Sequence, residues 1–122
     1  MAGSPCPLES IMTEQTQGQQ ASIYRIDKFA VPAAARAEFL ARVNETRAFL
    51  EGQIGCRQNL VLEVQSGSAR FNVLTLVEWE SQAAFEAARD AMIAERKSTG
   101  FNPQTFLARL GVEADMANYT AN

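Results

Sequence analysis

Histidine is absent from the 122-residue chain, and this excludes more chemistry than any residue present can establish. Ser-His and Cys-His catalysis, common zinc sites and histidine-ligated haem all fall away. So does the one side chain that titrates near neutral pH unaided. Cysteine is scarce: Cys6 sits between prolines and Cys56 opens a predicted strand. A reducing compartment keeps both as thiols, and without a histidine partner Cys56 reads as a small core residue, not a nucleophile. Basic residues are also few, 11 against 14 acidic ones for a net charge of −3. Nucleic-acid binding needs a basic face, so that class is set aside. No run approaches the roughly 18 apolar residues of a membrane helix. The first cation is Arg25, so the start lacks the charged opening of secretory and mitochondrial signals. The expectation is a cytoplasmic protein that engages neither membrane nor nucleic acid.

What is present is one domain's worth of core, with 47 % hydrophobic residues, an ordinary share for a globular chain. Residues 1–21 carry Pro5, Pro7, Gly3, Gly18 and a glutamine cluster without sustained period, and read as a flexible tail in which Met12 is a candidate start. The domain is expected over 22–122. A first strand runs from Ile23 to Val31, rich in β-branched and aromatic residues. Pro32 suits the first turn of a helix, whose apolar stripe is Phe39, Val43 and Leu50, with Glu38 and Arg42 as an i,i+4 pair. Gly52 and Gly55 end it.

Strands follow at about Cys56–Gln65 and Arg70–Trp79, joined by a Ser66-Gly67-Ser68 hairpin. Ser81 is a natural N-cap for a second helix to about Ser98, striped by Phe85, Ala88 and Met92. Further helical turns are expected over Gln104–Leu110 and a last strand over Val112–Tyr119. The order β-α-β-β-α-β is the ferredoxin-like α+β unit, an antiparallel sheet with both helices on one face. Its other face should alternate to polar residues, yet Leu60-Val61-Leu62 and Val73-Leu74-Thr75-Leu76-Val77 are apolar on both sides. A second copy of the sheet is the simplest cover, so a homodimer through the helix-free face is expected.

In that frame the chain resembles the antibiotic biosynthesis monooxygenase domains of the dimeric α+β barrel superfamily. The resemblance spans about Ile23–Tyr119 and rests on Phe29-Ala30-Val31-Pro32, Gly55-Cys56 and above all Val77-Glu78-Trp79-Glu80-Ser81 leading into Ala84-Phe85. It implies a ligand pocket between sheet and helices near Trp79. It also implies three kinds of activity: cofactor-free oxygenation of polycyclic phenols, quinol oxygenation, and haem degradation. The family's chemical groups are replaced here. Thr75 stands at the oxygenase branch's asparagine and Phe85 at its tyrosine. Arg89 falls near the haem branch's axial histidine, and Asp27 near its first-strand asparagine.

Each candidate has a functional and a structural reading. Asp27, a carboxylate in an apolar strand, is the preferred general base, since burial raises a carboxyl's pKa; otherwise it pairs with Arg25, Lys28 or a strand neighbour at the dimer surface. Arg89, one turn beyond Phe85, can hold a phenolate or carboxylate, or sit in solvent beside Glu86. Trp79 and Phe85 are pocket walls or plain core. Tyr24, Asn72 and Thr75 supply polar contacts or only local structure. Glu78 and Glu80 share the strand face opposite Trp79; they suggest a metal or acid/base pair, but no third ligand accompanies them, and a solvated or salt-bridged edge is the expectation. The leading expectation is oxygenation of an electron-rich aromatic, such as a quinol or anthrone, without metal or flavin, with Asp27 and Arg89 as catalytic groups. The alternative is a dimeric module that binds or senses a small hydrophobic metabolite. Haem degradation comes third.

Overall fold

The computed structural model describes residues 21–122; the expected tail and the Met12 start fall almost wholly outside them. Strand β1 spans Ile23–Ala30. After Pro32 a short 3-10 turn, Ala33–Ala35, leads into α1, Arg36–Glu51. Strands β2 (Cys56–Glu63) and β3 (Val73–Trp79) follow, then α2 (Gln82–Thr99), α3 (Pro103–Leu110) and β4 (Glu113–Tyr119). The sheet has four strands in the order β2-β3-β1-β4, every pairing antiparallel. This is the ferredoxin-like α+β fold.

Local chemistry sets the boundaries. The Ser81 hydroxyl accepts from the Ala84 N–H at 3.1 Å and caps α2, satisfying one of the donors a helix start leaves open. Asn102 caps α3 in the same way, with Pro103 beginning the helix. The β2–β3 connection is longer than the Ser66-Gly67-Ser68 turn predicts, because the strands end at Glu63 and begin at Val73. Gly55 has φ +90°, and a Cβ there would lie 2.7 Å from the Ala84 Cβ. Only glycine lets the chain entering β2 press so close to α2.

The pleat sorts the strand residues onto two faces. Phe29, Val73, Val77 and Trp79 point to the helices and are buried. They fall into two clusters. One gathers Phe29, Val31, Ala35, Phe39, Val73 and Val112, with the Phe29 and Phe39 rings edge-on at 4.9 Å. The other gathers Val77, Trp79, Phe85 and Ala88 at the opposite end of β3. The predicted stripes hold, with Phe39, Phe85, Ala88 and Met92 buried. The predicted Glu38–Arg42 pair does not form. The Arg109 fork on α3 takes both Glu38 oxygens instead, and Arg42 reaches Glu45 at 3.1 Å.

The helix-free face carries a continuous apolar row across all four strands. Leu60 pairs in register with Leu76, Leu76 with Ile26, and Ile26 with Ala117. Around it Leu60, Leu62, Val64 and Tyr119 are 39–45 % exposed in the single chain. Glu78 shares this face but is enclosed by its neighbours. The Ser22 hydroxyl and the Gln58 amide donate to it at 2.6 and 2.8 Å. Those hydrogen bonds hold its pKa below the ordinary carboxylate value. Among the described residues no helix is long and apolar enough to cross a membrane.

Candidate functional site

A cavity of about 410 Å³ separates the two core clusters on the helix side of the sheet. Its floor is the middle row of the strands: Val61 faces Thr75, Thr75 faces Asp27, and Asp27 faces Met116. All four line the cavity. The clusters at either end of β3 bury large rings, while the middle row carries a hydroxyl and a carboxylate. Helices α1 and α2 supply the side chains that wall the space above this row.

The walls come from predictable periods. On α2, Phe85, Ala88, Arg89, Met92 and Arg96 line the cavity, a stripe at i, i+3, i+4, i+7 and i+11. On α1, Phe39, Arg42, Val43, Thr46 and Leu50 do the same. Arg47 and Asn59 clamp α1 to β2 reciprocally. The Arg47 Nε donates to the Asn59 carbonyl at 3.0 Å, and the Asn59 amide donates to the Arg47 carbonyl at 2.8 Å. Trp79, 2 % exposed, lines the end nearest Phe85.

Asp27 is the sole carboxylate among the lining residues. Arg25, two residues earlier on the same face, donates to it from Nε at 2.7 Å. The pairing with Arg25 is one of the alternatives raised by the sequence, but it lies inside the cavity and not at a dimer surface, because odd-numbered β1 residues face the helices. Burial pushes the Asp27 pKa above the ordinary value, outweighing the charge and hydrogen bond of Arg25 and the more distant charge of Arg96. Desolvation disfavours the charged form of a carboxyl more than one ion pair restores it. Such a group is poised to take a proton from a bound acid.

Five of the seven residues singled out from the sequence converge on this cavity: Asp27, Thr75, Trp79, Phe85 and Arg89. Arg89 stands at the edge, its side chain 52 % exposed and 3.5 Å from Asp90, with its guanidinium 5.8 Å from the Phe85 centroid. Its expected neighbour Glu86 accepts from Gln82 instead. The other two lie elsewhere. Tyr24 alternates with Arg25 and so faces the helix-free side. Asn72 precedes β3 and is a backbone clamp: it accepts from the Val31 N–H at 2.8 Å and donates to the Val31 carbonyl at 3.0 Å. Its side chain mimics a peptide group and splices the end of β1 to the β2–β3 connection.

Arg25, Arg42 and Arg96 were not singled out as site residues. Arg96 continues the Phe85-Ala88-Met92 stripe by one more turn, and that spacing was the available signal. Cys56 does not line the cavity, and burial followed by the Glu51 charge pushes its thiol pKa up, away from nucleophilic use.

The match to known proteins agrees with this architecture. The family model for antibiotic biosynthesis monooxygenase matches residues 22–94. The chain belongs to the antibiotic biosynthesis monooxygenase family. Solved structures similar to this family member include SnoaB, a cofactor-independent oxygenase from Streptomyces nogalater, at 20 % identity and TM-score 0.59, covering 84 % of this chain and 94 % of that one. The heme-degrading protein Rv3592 from Mycobacterium tuberculosis aligns at 19 % identity and TM-score 0.55, over 83 % of this chain and 91 % of that one. A dimeric ferredoxin-like protein from an uncultured marine organism aligns at 16 % identity and TM-score 0.60, over 84 % and 96 %. At these identities the likeness is one of fold. A search of curated proteins finds no match.

Haem, which the Mycobacterium tuberculosis protein degrades, finds few donors in this family member. The chain has no histidine. Among the described residues the lining offers no cysteine or tyrosine, only the thioethers of Met92 and Met116. Tyr24 pairs in register with Tyr119, and both project to the opposite face. This donor set does not fit a histidine-ligated haem.

Proposed function

We propose that this antibiotic biosynthesis monooxygenase family member oxygenates an electron-rich aromatic, of the anthrone or quinol class, in the cavity between sheet and helices. The observation that carries this reading is Asp27. It is a carboxylate of raised pKa on the floor of a cavity whose walls include Trp79, Phe85, Phe39 and Met92. The aromatic walls receive a planar ring and exclude water, and the base sits where a ring substituent can reach it.

The chemistry is written here for an anthrone and molecular oxygen. Asp27 removes one proton from the ring CH2, leaving an anion delocalised over the aromatic system. The anion gives one electron to oxygen, and the resulting radical pair joins to form a carbon–oxygen bond. The peroxide so made takes back the proton and loses water as the second C–H bond breaks. One oxygen atom remains as the new carbonyl and the other leaves in water. All four electrons come from the CH2 carbon, so neither metal nor flavin is required. Thr75, opposite Asp27 in the ladder, can hydrogen-bond the oxygen added at that carbon.

The active form in this reading is a homodimer that covers the apolar row centred on Leu76 and Ile26. At roughly 25 cal/mol per Å² of apolar surface, leaving this face wet forfeits several kcal/mol. The test of function is oxygen uptake with anthrone and with naphthalene-1,4-diol. Turnover is expected with at least one of them and should fall about 10²–10⁴-fold in Asp27→Asn, the usual contribution of a positioned base. An Asp27→Asn variant as active as the parent would overturn the assignment of the base. No uptake with either substrate would overturn the oxygenase reading.

A further inference from the structure

Five arginines line the cavity, Arg25, Arg42, Arg47, Arg89 and Arg96, against the one carboxylate of Asp27. Three of them have partners that account for their place. Arg25 is bonded to Asp27 at 2.7 Å, Arg47 donates to the Asn59 carbonyl at 3.0 Å, and Arg89 is half in solvent beside Asp90. Arg42 and Arg96 are different. Each carries an Nε that is buried and has no hydrogen-bond partner among the described residues. They reach the cavity from different helices, α1 and α2. The Arg42 guanidinium carbon lies over the Phe101 ring, 3.4 Å from its centroid, and this contact restrains the side chain. Its contact with Glu45 is made through Nη1 at 3.1 Å, which leaves the Nε edge unused.

An unpaired buried donor is costly, more so when it carries charge. Here two such donors come with two like charges close enough to affect one another. Burial and the Arg42 charge both push the Arg96 pKa down, and Asp27 only partly offsets them. Native proteins rarely leave such groups unsatisfied without a functional reason. An anion bound by the outer guanidinium nitrogens offsets the repulsion between the two cations, and guanidinium forks suit a planar carboxylate.

We propose that Arg42 and Arg96 form an anion subsite at one end of the cavity, so that the aromatic ligand it favours carries a carboxylate. This rests on the reading of the cavity as an aromatic site and names its substrate class. Arg96 lies three turns along α2 from Phe85, about 16 Å of helix rise. The cavity therefore has an aromatic end at Trp79 and Phe85 and a cationic end at Arg96, with Asp27 on the floor. An aromatic with an ionisable hydroxyl and a carboxylate on opposite sides matches that polarity.

Trp79 is the only tryptophan of the chain, so its emission reports occupancy of the aromatic end. The probes are 6-hydroxy-2-naphthoate and its neutral isostere 6-hydroxy-2-naphthamide, titrated at pH 7.5. The carboxylate is expected to bind about ten- to a hundredfold more tightly than the amide, the worth of a charge-assisted pair. That preference should collapse in Arg96→Gln and in Arg42→Gln and persist in Arg109→Gln, whose parent residue pairs with Glu38 outside the cavity. Equal affinities for the two probes in the unmodified protein would overturn the anion subsite while leaving the aromatic site standing. A preference that survives both cavity variants would overturn it as well. If neither probe binds, the aromatic reading itself fails. The comparison within the unmodified protein decides the question even if a variant does not fold.

Discussion

Arg25 and Asp27 project from the same face of β1 and meet at 2.7 Å, yet the carboxyl of the pair sits above its ordinary pKa. The ion pair is too weak to undo the desolvation imposed by the cavity walls. That balance makes Asp27 tunable: Arg25 is the largest influence holding its pKa down, and burial the one holding it up.

A shift in the pH profile follows from this balance. If Asp27 is the base, kcat/KM rises with pH as the carboxyl ionises, with a midpoint raised above the ordinary aspartate value. Arg25→Gln removes both the charge and the charge-assisted hydrogen bond that lower the pKa, so the acid limb should move to higher pH. A pH–rate profile of the two proteins checks this. An unmoved limb, or one displaced to lower pH, would separate Asp27 from the proton transfer.

Asp27 also has a consequence for stability. A carboxyl whose pKa is higher folded than unfolded holds its proton more tightly in the native state. Its stabilising contribution is therefore complete below the unfolded pKa and is lost as pH rises through the folded one. Asparagine keeps an oxygen to accept from Arg25 and has no charge to desolvate. Asp27→Asn should accordingly raise Tm at pH 7.5, and the gain should shrink on acidification toward pH 4. A gain that stays constant with pH would show that ionisation is not its source. Activity and stability then move in opposite directions, as expected where a site holds a group the fold alone would not choose.

Gly55 makes a separate demand on the backbone. It has positive φ, and a Cβ would meet both the Ala84 Cβ at 2.7 Å and the Glu80 side chain at 3.1 Å. Gly55→Ala should lower stability by about 2 kcal/mol or more, combining left-handed strain with overpacking. Because this contact seats the start of α2 beside Trp79, a red shift of the tryptophan emission should accompany it. Urea denaturation followed by fluorescence gives both numbers. A variant as stable as the parent would mean that the close approach relaxes freely.

Much of this fold was legible because the local signals agree with one another. The stripe Phe85-Ala88-Met92, the Ser81 cap and the alternation through β3 all specify the element that the structure contains. The two-sided apolar runs around Leu60 and Leu76 by themselves mark a face that needs cover. The cavity was legible only in part. Asp27, Trp79, Phe85, Thr75 and Arg89 were placed near it by strand and helix position. Asn72 and Tyr24 were not separable from them, since one lies past a strand end whose position the long connection obscured. The other requires the register that decides which face a residue takes. The i,i+4 spacing pairs Arg42 with Glu38 at the surface. The competing partner, Arg109, lies 71 residues away from Glu38 in the chain, and no local rule reveals it. Freed from Glu38, Arg42 turns its guanidinium onto Phe101.

The last prediction concerns the face away from the cavity. Leu76 lies in the row that runs from Leu60 through Leu76 and Ile26 to Ala117, and β3 and β1 are the central strands of the sheet. A lysine at position 76 would set one cation against its symmetry mate at the centre of a two-fold interface, with no described carboxylate in its own row. In the homodimer reading, light scattering should give twice the 13.4 kDa chain mass for the parent at micromolar concentration. Leu76→Lys should give the mass of one chain. The side chain projects away from Trp79, so the emission maximum should stay where it was, which distinguishes dissociation from unfolding. A parent that already scatters as one chain would remove the dimer from the proposed mechanism. It would leave the apolar row to be covered by something other than a second copy of the sheet.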